Sequence, residues 1–175
     1  MIPDFAQSLY ERFSREGIPL LLAGGWAVCH HGYSRFTNDI DWICSRGDES
    51  RAQDVMKSLG FEIAFEAMAT RFKHGKHLDL VPVDLLWVSP ETFAKMEATD
   101  QMTGRHDDIP VINFETLLSM KLHALKDQVE RRNKDLLDIF ELLHENAGVI
   151  AEDKLREICA RFGGPDAYKI IRRIP

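Results

Sequence analysis

Two carboxylates stand inside an apolar strand. The stretch Asn38-Asp39-Ile40-Asp41-Trp42-Ile43-Cys44 has the β-branched and aromatic content of a buried strand, yet Asp39 and Asp41 interrupt it two residues apart. Residues i and i+2 of a strand face the same side, so both acids project together while Ile40 and Trp42 are made for burial. Two like charges this close resist joint ionisation. Either the acidic side is a solvated edge, or a cation offsets the charge. A hard divalent ion such as Mg²⁺, which takes carboxylate and phosphate oxygens together, meets the second case.

Upstream, Pro19 to Ala23 reads as a short buried strand, followed by Gly24-Gly25 and a short helix from Trp26 to His31. A strand, two glycines and a helix start leave main-chain N–H groups that a phosphate can approach without meeting a Cβ. No Gly-Lys-Ser/Thr follows, so this is not a Walker A loop. Taken alone the two glycines are a tight turn. With Asp39 and Asp41 just downstream, they favour a phosphate beside a cation.

The 175 residues suit one compact domain, or one domain with a helical appendage. Apolar spacing predicts helices over 3–16, 49–59 and 90–97, a strand over 61–65, and a hairpin of 68–74 with 77–88 around Gly75-Lys76. A polar loop covers 101–108, and Val111-Ile112 is a short edge strand. From Phe114 to Ala147 helical spacing dominates, with a break near Arg131–Asn133, and 151–162 and 165–173 make two further helices. The expected organisation is therefore an α/β half over 1–112 and a helical half over 113–175, packed together with a cleft between them. The net charge of −6 gives no global field toward nucleic acid or an anionic membrane. No apolar run is long enough to span a bilayer, and Met-Ile-Pro-Asp-Phe is no signal peptide. Three cysteines without metal-site spacing read as reduced thiols of a cytoplasmic protein.

Gly24-Gly25, Arg35, Thr37, Asp39 and Asp41 together resemble the signature of the nucleotidyltransferase superfamily that includes DNA polymerase β. The wording GGWAV followed by SRFTNDID is similar to two small branches. One is the antibiotic-resistance nucleotidyltransferases that modify aminoglycosides and lincosamides; the other is the AbiEii-type toxin nucleotidyltransferases. The resemblance implies an α/β (α+β) fold with a mixed sheet flanked by helices. It implies Mg²⁺, with Mn²⁺ as the alternative, and a nucleoside triphosphate such as ATP held by Gly24, Gly25, Arg35 and Thr37 over Asp39 and Asp41. The acceptor would be a small molecule or RNA, and for the toxin branch an antitoxin-like protein is an expected partner.

Such enzymes use a third acid on a neighbouring strand, which helps hold the metal and takes a proton from the attacking hydroxyl. HLDLVPVDLLWV offers Asp79 and Asp84, which face opposite sides of a regular strand. The apolar-acid-apolar context of Val83-Asp84-Leu85 and the likeness of PVDLLWV to the AbiEii-like proteins favour Asp84. The antibiotic branch has a context closer to LDLVP, which selects Asp79. In KLHALKDQVERRNKDLLDIFELL two apolar helix faces carry Asp135 and Asp138 on a shared side. The AbiEii-like resemblance implies that Lys121 reaches triphosphate oxygens and that Asp135, and after it Asp138, orients basic residues. Arg131, Arg132 and Lys134 form a basic cluster that meets phosphate, RNA or water. Arg35 either forks onto a phosphate or makes a surface salt bridge.

Overall fold

The computed structural model describes residues 4–77, 80–100, 105–106, 108–127 and 132–172. Asp79 and Arg131 lie outside the described residues. The chain divides into two units, one of residues 1–27 and 36–113, the other of residues 28–35 and 114–175.

The first unit is built on a five-stranded mixed sheet of order β1-β2-β5-β4-β3. Its strands are β1 (Leu21–Leu22), β2 (Ile40–Ser45), β3 (Phe61–Glu66), β4 (Ala69–His74) and β5 (Val83–Val88). β2 and β5 run parallel, and every other pairing is antiparallel. Alternation decides the faces. Ile40, Trp42, Thr70, Phe72, Val83 and Leu85 are buried, whereas Asp41, Arg71 and Asp84, one residue along in each strand, are only half-buried. Helix α1 (Asp4–Arg15) buries Ala6, Leu9 and Phe13, one stripe at helical spacing. Phe5 stacks on Phe61 and Tyr10 on Trp42, which seats α1 against the sheet. Helix α3 (Glu49–Ser58) buries Ala52, Val55 and Met56. Each large apolar side chain buried this way contributes about 1.5–3 kcal/mol.

Five expectations change in detail. The helix after the two glycines, α2 (Gly24–His30), begins at Gly24 itself. Asp39 stands one residue before β2, tied down by the Ile40 amide donating to the Pro82 carbonyl at 3.0 Å. The expected 68–74/77–88 pairing exists, but β5 starts only at Val83, and the tight hairpin is β3–β4, turning at Ala67-Met68. Within the expected polar loop, β6 (Arg105–His106) pairs with β7 (Ile109–Pro110). Val111 bridges in parallel to Leu22 at the sheet edge, where an edge strand was expected. Helix α4 (Pro90–Asp100) completes this unit.

The second unit is helical. α5 (Phe114–Asp127) buries Leu117, Leu118, Lys121 and Leu122; α6 (Arg132–Glu145) buries Asp135, Asp138, Ile139 and Leu142. Then follow α7 (Glu152–Ile158), a π-helical turn over Cys159–Gly163, and α8 (Ala167–Ile171). Residues 28–35 are held here: Asn146 donates to the carbonyls of His31 and Leu142, and His31 meets the edge of Phe114. Among the described residues no helix is long and apolar enough to cross a membrane.

Candidate active site

In the first unit, sheet register assembles the charges. Asp41 on β2 lies directly opposite Asp84 on β5, and Asp84 lies directly opposite Arg71 on β4. Cross-strand partners share a face, so acid, acid and guanidinium form one row. Asp39 joins it from the loop before β2. Arg71 Nε donates to Asp84 Oδ1 at 2.7 Å, and its Nη2 donates to Asp84 Oδ2 at 2.6 Å and to Asp39 Oδ2 at 3.0 Å. Thr37 donates to the remaining Asp39 oxygen at 3.1 Å. The hydrogen bond to Asp84 raises the Arg71 pKa above its already high ordinary value; partial burial opposes this, and the charges of Asp84, Asp39 and Asp41 reinforce it. Asp41 occupies the hollow left by Gly24: a Cβ built there would fall 1.7 Å from Asp41 Oδ2. So Gly24 makes room for a carboxylate as well as for a turn.

The donor set of this row is hard oxygen, which suits Mg²⁺ or Mn²⁺. Asp39 Oδ2 and Asp84 Oδ2 already share one cationic group, the Arg71 Nη2. Asp39 and Asp84 are the residues that would hold a divalent ion here. Among the described residues no three His, Cys, Asp or Glu side chains form a ready-made metal-ligand set; a guanidinium stands among the acids instead.

The second unit carries a separate buried network. Arg35 forks onto Asp138, with Nε to Oδ1 at 2.6 Å and Nη2 to Oδ2 at 2.9 Å. Lys121 Nζ lies 2.7 Å from Asp138 Oδ2 and 2.8 Å from Asp135 Oδ1. The Lys121 side chain is only 8% exposed and both acids 1%. Burial alone would raise the Asp138 pKa, but hydrogen bonds and charge from Arg35 and Lys121 outweigh it and hold the group below its ordinary value. The helical spacing of Asp135 and Asp138 thus puts both on one buried lysine, not on a solvated face. Lys134 is exposed. The fork of Arg35 is an ion pair with a buried acid rather than the surface salt bridge weighed as its alternative.

Sequence reading missed Arg71. The signal was the one that marked Asp41: a charged residue at an interior position of a strand, here in Ala69-Thr70-Arg71-Phe72.

A mixed five-stranded sheet presenting a row of acids from adjacent strands defines the class. The family described as Uncharacterised nucleotidyltransferase matches residues 4–173, and the chain belongs to it. Among solved structures, the chain is similar to ANT(2'')-Ia in complex with adenylyl-2''-tobramycin, with TM-score 0.67 and 16% identity, covering 91% of this chain and 95% of that one. It is also similar to the lincosamide antibiotic adenylyltransferase LnuA bound to lincomycin, with TM-score 0.54 and 17% identity over 78% and 95% of the two chains. A third is an antigenic nucleotidyltransferase-like protein from Paracoccidioides brasiliensis, with TM-score 0.53 and 16% identity over 94% and 89%. At these identities the likeness is one of fold. No protein of curated function is detectably similar in sequence.

Proposed function

We propose that this protein transfers a nucleoside monophosphate from a nucleoside triphosphate to an acceptor hydroxyl. The observation that carries the reading is the row of Asp41, Asp84 and Arg71 in direct cross-strand register, with Asp39 hydrogen-bonded to the same guanidinium. Asp39, Asp41 and Asp84 would hold a divalent ion, and that ion would neutralise phosphate charge as the leaving pyrophosphate develops. Asp84, from the neighbouring strand, would accept the proton of the attacking hydroxyl. Gly24 keeps Asp41 in position and, with Gly25, offers main-chain amides to a phosphate. Thr37 orients Asp39 by its hydrogen bond. Catalysis of this kind rests on positioning and preorganised charge. Arg35 and Lys121 remain candidates for the triphosphate tail. Each has a carboxylate partner that a phosphate would have to replace, and Asp135 and Asp138 orient them meanwhile.

For the acceptor, a small molecule is supported by ANT(2'')-Ia, seen with adenylyl-2''-tobramycin, and by the lincosamide antibiotic adenylyltransferase LnuA, both of which overlap this chain along almost their whole length. The net charge of −6 suits a polycationic acceptor. The AbiEii-like reading, with RNA as acceptor and an antitoxin-like partner, rests on the Lys121 and Asp135 pattern.

The test is thermal denaturation with Mg²⁺ or Mn²⁺ and each of the four triphosphates. The melting midpoint should rise with cation and triphosphate together. No rise with any pair contradicts the reading. A rise without nucleotide transfer to any acceptor would instead support a nucleotide-binding module that has lost turnover.

A further inference from the structure

We infer that Arg71 is a built-in counter-cation that holds the acids of the site together until a metal–nucleotide complex displaces it. The inference rests on the nucleotidyltransferase reading above, which supplies the metal, and goes beyond it in assigning a binding order.

Each of the four oxygens of Asp39 and Asp84 already accepts a hydrogen bond. Three come from Arg71 and one from Thr37. Asp41 adds its charge to the same guanidinium. Without a cation among them, three carboxylates at this spacing would repel one another and would splay apart. Arg71 relieves this repulsion, so the acids are preorganised before any ligand arrives. The cost is competition. Nη2 contacts Asp39 Oδ2 and Asp84 Oδ2, so it stands between two of the acids that would hold the ion. Each Asp84 oxygen gives one lone pair to the fork, so the guanidinium stands beside the group that would accept the proton until Arg71 leaves.

The Arg71 side chain is 40% exposed, while Asp84 is 16% exposed. The guanidinium can therefore swing toward solvent without unpacking the sheet beneath it. A free divalent ion offers it no new partner. A metal-bound triphosphate does, because the polyphosphate is an anion that a guanidinium can fork onto. Metal alone should then bind weakly, and metal with nucleotide strongly. By linkage, each ligand raises the affinity for the other. Arg71 thereby deters the site from filling with metal in the absence of substrate.

The test is calorimetric titration of the intact chain with Mn²⁺. It is done alone and in the presence of the non-hydrolysable α,β-methylene analogue of the triphosphate that best protects against melting. Arg71→Gln keeps much of the side-chain volume and removes the charge. It should bind Mn²⁺ alone at least about tenfold more tightly than wild type, and the nucleotide analogue should improve its Mn²⁺ affinity by a smaller factor. Arg71→Lys keeps the charge without the fork and should fall between the two. If Arg71→Gln fails to fold, Arg71→Lys carries the test, still predicted to bind Mn²⁺ alone more tightly than wild type. If wild type takes up Mn²⁺ with the analogue but the folded variants bind Mn²⁺ alone no more tightly than wild type, the counter-cation role is overturned and the nucleotidyltransferase reading stands. If no protein takes up Mn²⁺ with or without the analogue, that reading falls and the inference with it.

Discussion

Gly24 has φ +59°, and a Cβ built on it would fall 1.7 Å from Asp41 Oδ2. Alanine there meets two penalties. The left-handed backbone costs an L-residue about 1–2 kcal/mol, and the Asp41 carboxylate must move to make room. Gly24→Ala should therefore lower unfolding stability by about 1–3 kcal/mol, read by denaturant titration, and should weaken cation uptake even in the molecules that fold. A variant as stable as wild type with unchanged cation uptake would show that Asp41 does not depend on that hollow. Residue chemistry also explains what sequence alone disclosed. Asp39 and Asp41 stood out because a strand spends its interior on apolar side chains. Arg71 breaks the same rule, but its meaning comes from lying opposite Asp84, and register between strands is not written in either strand alone.

At the scale of elements, α5 and α6 are joined through a buried charge network. Asp138 accepts from both Arg35 and Lys121, whereas Asp135 meets Lys121 through one oxygen, and its other oxygen is buried without a hydrogen-bond partner among the described residues. Removing one member of a buried ion network leaves uncompensated charge, which costs about 3–5 kcal/mol. Asp138→Ala should reach that range, and Asp135→Ala should cost less, because one cation rather than two loses a partner; equal losses would contradict the assignment. The pH dependence follows from the depressed Asp138 pKa. Its ordinary value is 3.8, so the unfolded chain takes up the proton first as pH falls. The stabilisation is fully present above that ordinary value and is lost as pH drops through the lower folded value. Asp138→Asn should flatten this acid limb of the stability curve relative to wild type.

The helices around these charges were legible from 3.6-residue spacing. That the acids of α6 are buried was not, because an i,i+3 acidic pair reads the same whether a lysine or water faces it. The hairpin was misplaced for a related reason. Gly75-Lys76 has turn chemistry, but the chain turns tightly at Ala67-Met68, where no glycine or asparagine marks it.

For the whole molecule, the mixed α/β class followed from alternating strands and helices before residue 113, and the helical class from the spacing after it. Residues 28–35 belong with the helical unit, a break in chain order that periodicity does not reveal. Family membership across 4–173 makes nucleotide transfer the chemistry to test. The most direct measurement of that claim is transfer of label from nucleoside triphosphates to acceptor candidates, aminoglycosides, lincosamides and total RNA, in the presence of Mg²⁺. Label carried on the α-phosphorus should appear on an acceptor and label on the γ-phosphorus should not. Asp41→Asn, still folded, should lower the rate by at least about a hundredfold. Transfer of γ-label, or an unimpaired Asp41→Asn, would contradict the account.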